Sequence, residues 1–153
     1  MKKFLVFCIC LFLLCGCTKE SKESKVVRSV NDFENASIKA GFSVADNMGS
    51  YAGVSYITAS KIATSGDISV EMVVYADSDS AKEVQDNQIE SFKKIKNTAT
   101  TENKEKGANF YKFWMISNGY YMVNSRIDNT LIFCKTPFKN KEKIEVILNE
   151  LGY

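Results

Sequence analysis

Residues 108–135 read ANFYKFWMISNGYYMVNSRIDNTLIFCK, and the fold is decided there. Asn118-Gly119 lies between two runs rich in Tyr, Phe, Val and Ile, the strongest short-range signal for a β-hairpin. Asp128-Asn129 then joins YYMVNSRI to TLIFCK, which makes a three-stranded antiparallel meander. Beyond it, Pro137 suits the first turn of a helix. Ile144, Ile147, Leu148 and Leu151 recur at the spacing of one helix face, so the chain closes with an amphipathic helix.

Working back from the meander, KNTATTENKEKGAN (96–109) has no apolar residue beyond two alanines and reads as a mobile loop. Asp77-Ser78-Asp79-Ser80 supplies cap oxygens and negative charge for a helix start. Ala81, Val84, Gln88, Ile89, Phe92 and Ile95 form the stripe of that helix. Ile68, Val70, Met72 and Val74 alternate with Ser69, Glu71 and Tyr75, as in a strand with one buried face. TSGD (64–67) turns it back onto a strand expected from Tyr51 to Ala63. FSVADNMGS (42–50) holds a short extended piece and a turn. Ser29 and Asp32 resemble a capping arrangement for a first helix carrying Val30, Phe33, Ser37 and Ala40, and Gly41 marks its stop. The expected fold is α+β: an antiparallel sheet of five to six strands with three helices on one face, in the order α-βββ-α-βββ-α. Both halves share an α-β-β-β order, a hint of duplication.

The opening of the chain is of another kind. Met1-Lys2-Lys3 precedes FLVFCICLFLL (4–14), a cationic start followed by an uncharged apolar run, which is the form of a secretory signal. The apolar stretch ends at Cys17, short of the about 20 residues that a spanning helix needs. Leu14-Cys15-Gly16-Cys17 places a branched apolar residue, a variable one, a small one and a cysteine in succession. This pattern resembles the lipobox of bacterial lipoproteins. The resemblance covers residues 1–17 and implies cleavage between Gly16 and Cys17, with a diacylglyceryl group on the Cys17 sulfur. Two acyl chains hold stably where one is marginal, because each buried methylene contributes about 0.8 kcal/mol. The expected organisation is a lipoprotein signal peptide over 1–16, the lipidated cysteine and a charged Lys-Glu-Ser tether over 17–28, and a single α+β domain over 29–153. The implied location is the extracytoplasmic face of the cell membrane.

Composition narrows the rest. The resemblance implies that, of five cysteines, Cys8, Cys10 and Cys15 leave with the signal and Cys17 is acylated; Cys134 alone would then remain, and no internal disulfide is expected. Within TLIFCK it reads as a buried, inert thiol. The formal charge is +2, and without Lys2 and Lys3 the chain balances at 18 basic against 18 acidic residues. Neutrality argues against a nucleic-acid partner, which needs a basic face. The chain has no histidine, hence neither the usual general base nor the commonest transition-metal ligand. Lysine-rich, asparagine-rich composition without disulfides is similar to that of small lipoproteins of Gram-positive bacteria.

Site candidates are few. Asp77 and Asp79 suggest a calcium loop, but the glycine and glutamate it needs at its sixth and twelfth positions are Lys82 and Gln88; helix capping explains the acids, and no metal is expected. Phe110, Lys112 and Trp114 share one face of their strand, and Tyr111 and Phe113 the other. A candidate binding surface comprises Phe110, Tyr111, Trp114, Tyr120, Tyr121 and Arg126, since exposed aromatics suit a peptide, glycan or protein partner; cross-strand packing is the plain alternative. No nucleophile elbow, phosphate loop or Cys-His pair is present, and no cofactor is expected. The reading is a non-enzymatic binding module held to membrane lipid through Cys17. The alternatives are a solute-binding accessory of a transporter, with a pocket between sheet and helices, and a cell-wall glycan hydrolase, which needs two facing carboxylates.

Overall fold

The computed structural model describes residues 22–153; the signal segment, Gly16 and Cys17 lie outside the described residues. Helix α1 (Val30–Lys39) begins on a reciprocal cap. The Asp32 amide donates to Ser29 Oγ at 3.2 Å, and the Ser29 amide donates to Asp32 Oδ2 at 2.9 Å. Both satisfy amides that a helix start leaves orphaned, and the Ser29 amide holds the Asp32 carboxyl below its usual range. Strands β1 (Ser43–Asp46), β2 (Ile57–Ser65) and β3 (Ile68–Tyr75) follow, then α2 (Ser78–Lys93), β4 (Thr101–Lys106), β5 (Phe110–Ser117), β6 (Tyr120–Ile127), β7 (Thr130–Pro137) and α3 (Lys141–Leu151). At the β5–β6 turn Asn118 and Gly119 have φ of 52° and 78°, the pair of positive values that this tight hairpin requires.

The strands form one antiparallel sheet in the order β1-β2-β3-β7-β6-β5-β4. The α+β class is as expected, but the sheet has seven strands rather than five to six, in the order α-βββ-α-ββββ-α. The additional strand is β4, TENKEK, within the segment read as a loop. All six of its residues are exposed, so no apolar alternation announces it; it forms because the outer edge of β5 offers unpaired amides and carbonyls, and its charges blunt the sheet edge. The strand expected from Tyr51 starts at Ile57 instead, because Met48–Tyr51 is a 3-10 turn. Pro137 ends β7, and a 3-10 turn at Phe138–Asn140 leads into α3.

Helices cover both faces of the sheet, not one. Phe33 of α1 and Ile144, Ile147 and Leu148 of α3 pack with Val70, Met72, Tyr121, Val123 and Ile132. On the reverse face, Ala81 of α2 meets Val73, Tyr75 and Leu131, and Ile89 meets Phe113, Met115 and Met122. Strands β3 and β6 are therefore buried on both sides. The duplication hint fails on the same ground: a two-fold axis between the antiparallel neighbours β3 and β7 would put α1 and α2 on one face.

The segment before α1 is fastened to the body. Asn109 clamps Lys25, accepting from its amide at 2.9 Å and donating to its carbonyl at 2.9 Å, while Nδ2 also reaches Asp128 at 2.9 Å. The Ala108 amide donates to the Glu23 carbonyl at 2.9 Å, and the Lys25 ammonium lies 4.4 Å from the Phe110 ring centroid. Asn109→Ala should release this strap. Net hydrogen-bond contributions of about 1 kcal/mol each predict a small fall in global stability, together with loss of hydrogen-exchange protection at the Lys25 amide. Retained protection there would show that the clamp is not what holds it.

Candidate functional site

The six residues of the expected binding surface do not form one surface. Phe110, Trp114 and Tyr121 face α1 and α3, where Phe110 and Tyr121 are buried. Trp114, half-buried, tilts against Tyr121 at 6.3 Å and 48°, with the Lys141 ammonium 5.4 Å from its ring. Cross-strand packing is thus the role of Phe110 and Tyr121. Tyr111, Tyr120 and Arg126 are on the α2 face. Arg126 Nε donates to Gln85 Oε1 at 3.1 Å and Nη1 to the Asp128 carbonyl at 3.0 Å, so the guanidinium is spent on a side-chain amide and its own turn rather than held out for an anion. Burial lowers its pKa.

Gln85 is the hub beneath α2. It is 1% exposed, and its Nε2 donates to the Tyr111 carbonyl and to Asn124 Oδ1, each at 2.9 Å. Asn124 passes the chain on to Gln88 Oε1. Buried amides hold a helix in place only when every partner is present, and here they fasten α2 across β5 and β6. Tyr120, 43% exposed, is the one member of the expected surface that stands well into solvent. Its neighbour Phe138 is 48% exposed and its amide bonds to the Gly119 carbonyl. Asp77 caps α2, accepting from the Ser80 amide at 2.7 Å, and that bond holds its carboxyl low. Among the described residues no cluster of acidic, histidine or cysteine side chains could hold a metal ion. Cys134 is buried and its thiol is pushed up to about 12 by burial, which matches the inert role expected of it.

A site that sequence reasoning missed lies between α2 and the sheet. A cleft of about 350 Å³ opens there, lined by Ser69 and Glu71 of β3, Phe133 and Lys135 of β7, and Gln88 and Phe92 of α2. Glu71 is the single carboxylate among the lining residues, and it is 9% exposed. Its Oε1 accepts from Asn47 Nδ2 at 2.6 Å, Tyr51 Oη at 2.7 Å and Ser60 Oγ at 2.8 Å. The strand β2 brings Ser60, and the 3-10 turn at Met48–Tyr51 brings the other two. Burial, and then the Glu71 bond and charge, push the Tyr51 hydroxyl well above its ordinary range; Tyr75 is raised by burial and by Glu71 too. The available signal was a lone acid inside ISVEMVVY, an otherwise apolar central strand. A charge in such a run is either a solvent-facing residue or a built polar site.

No protein-family model and no curated protein matches the chain. Among solved structures, a GTP binding regulator from Thermotoga maritima matches at 16% identity with a TM-score of 0.48, covering 81% of this chain and 87% of that one. The extracellular domain of PknH from Mycobacterium tuberculosis matches at 14% identity with a TM-score of 0.37, covering 86% and 80%.

Proposed function

We propose that the chain is a bacterial lipoprotein, anchored through diacylglyceryl-Cys17 at the extracytoplasmic face of the cell membrane, whose folded body is a non-enzymatic binding module. The observation that carries this reading is the succession of cationic start, apolar run and Leu14-Cys15-Gly16-Cys17 at the head of the chain. Since the strap is fastened from Glu23, five residues separate it from Cys17, and the six residue steps, at about 3.5 Å each, reach at most about 20 Å. The end of the sheet bearing Asn109 and Asp128 would then stay close to the bilayer. The opposite end, with the Asn118-Gly119 turn, Tyr120 and Phe138, would point outward to an extracellular protein, peptide or glycan.

One observation favours the solute-binding alternative: the cleft between sheet and α2, with Phe92 and Phe133 among its walls. A glycan hydrolase needs two facing carboxylates, and Glu71 has no second acid among the residues lining its cleft. Among the described residues no helix is long and apolar enough to cross a membrane, so attachment in this reading rests on the lipid. Cys17→Ala is expected to move the protein from the membrane fraction to the soluble one, while the wild type requires detergent for release. A processed Cys17→Ala chain that still pellets with membranes overturns the anchor.

A further inference from the structure

We propose that the cleft between α2 and the β3–β7 pair binds a small organic cation, a primary ammonium group on an apolar carrier, with Glu71 as its counter-charge. The inference deepens the binding-module reading and rests on it. Glu71 is held by three neutral donors, Asn47, Tyr51 and Ser60, all on Oε1. That oxygen is saturated, and the remaining one is the acceptor left for a ligand. No lysine or arginine among the described residues pairs with this carboxylate. Lys135 lines the same cleft, yet its ammonium lies over the Tyr120 ring, 5.3 Å from the centroid. A carboxylate this buried is ordinarily offset by a cation, and here hydrogen bonds fix its position without balancing its charge.

The other walls select the kind of cation. Phe92 and Phe133 offer ring surface, which attracts both an apolar carrier and an ammonium. Gln88 uses its Oε1 to accept from Asn124, which leaves its Nε2 to donate to a polar atom of a ligand. A hard metal ion fits poorly, because calcium takes six or more oxygens and magnesium a near-ideal octahedron, whereas one carboxylate stands here and the three neighbouring polar groups are already turned toward it as donors.

The test is calorimetric titration of the full chain in detergent with phenethylammonium, alongside phenethyl alcohol, the same carrier without the charge. Saturable one-to-one binding of the ammonium is expected, at least tenfold tighter than the alcohol. Glu71→Gln keeps the Oε1 acceptor and the shape but removes the charge, and should weaken binding at least tenfold. Ser69 is exposed and two residues from Glu71 on the same face of β3. Ser69→Lys therefore introduces an internal ammonium in a fold left intact, and should abolish binding as well; it decides the matter should Glu71→Gln not fold. Absence of saturable binding to the wild type, equal affinity for the alcohol, or undiminished binding in the variants overturns the site. Such a failure is separable from failure of the anchor, because fractionation of Cys17→Ala does not depend on the cleft.

Discussion

Above about pH 9 the fold should lose stability steeply, by about 7 kcal/mol at pH 11. Tyr75, Tyr121 and Tyr153 are each at most 3% exposed. Burial raises all three hydroxyls above their ordinary range, with Glu71 adding to Tyr75 and Glu145 to Tyr121. Burial likewise pushes the Cys134 thiol up to about 12. In the unfolded chain a tyrosine ionises at about 10 and a thiol near about 8.5 to 9. Above those values the unfolded chain sheds protons that the folded one keeps, so unfolding releases protons and rising pH drives it. At pH 11 each tyrosine would remove about 1.4 kcal/mol and the thiol about 3 kcal/mol, together about 7 kcal/mol, on the scale of a whole domain's stability of roughly 5–15 kcal/mol. Because the chain has no histidine, stability between about pH 5 and 8 should be nearly flat. The urea midpoint followed from pH 6 to 11.5 reads this directly, and Cys134→Ala should delay the onset of the fall by removing the group that titrates first. A midpoint unchanged to pH 11 would show that these groups ionise freely in the folded protein.

Those buried hydroxyls also mark where sequence reasoning reached its limit. The turns and caps were legible because each rests on a few adjacent residues: Asn118-Gly119 for the hairpin, Ser29 with Asp32 for the start of α1, and the Ile144–Leu151 stripe for α3. Strand β4 was not, because an exposed edge strand owes its conformation to the neighbour it pairs with, and TENKEK has no apolar face to declare itself. The two-faced sheet was missed for a related reason. In ISVEMVVY, Val73 and Tyr75 sit in the phase assigned to solvent, and α2 buries them there through Ala81. The α2 stripe itself is diluted by Gln85 and Gln88, whose burial becomes affordable only when Asn124 and the Tyr111 carbonyl are brought opposite them. Glu71 was read as the wet side of its strand, since Asn47, Tyr51 and Ser60 are up to 24 residues away in sequence. Polar sites assembled from distant residues leave only a weak local trace, whereas a motif of four consecutive residues such as Leu14-Cys15-Gly16-Cys17 is plain in the sequence.

Removal of Glu145 should cost the α3 face about as much as truncating one of its buried aliphatic side chains. Lys112 on β5 is 6% exposed, and its ammonium donates to Glu145 Oε2 at 3.2 Å and to the Tyr153 main-chain oxygen at 3.4 Å. Tyr121 donates its hydroxyl to the other Glu145 oxygen. One carboxylate thus satisfies a lysine and a tyrosine that the sheet has carried out of water, and pins α3 over β5 and β6. Breaking a buried pair from one side leaves an uncompensated charge and costs about 3–5 kcal/mol. The Glu145 side chain is 20% exposed, and screening by solvent places Glu145→Ala toward the lower end, near 3 kcal/mol. The loss is a penalty for the orphaned partners rather than the net worth of the pair, and a second variant separates the two. Lys112→Met with Tyr121→Phe and Glu145→Leu removes every polar group at once, and apolar replacement of a buried pair is often neutral. That triple variant should recover most of the stability while Lys112→Met alone does not. Chemical denaturation with an unchanged slope gives the comparison. A Glu145→Ala midpoint shift equivalent to less than about 1 kcal/mol, the range of exposed pairs, would mean that water already solvates Lys112 and that α3 is held by its apolar stripe alone.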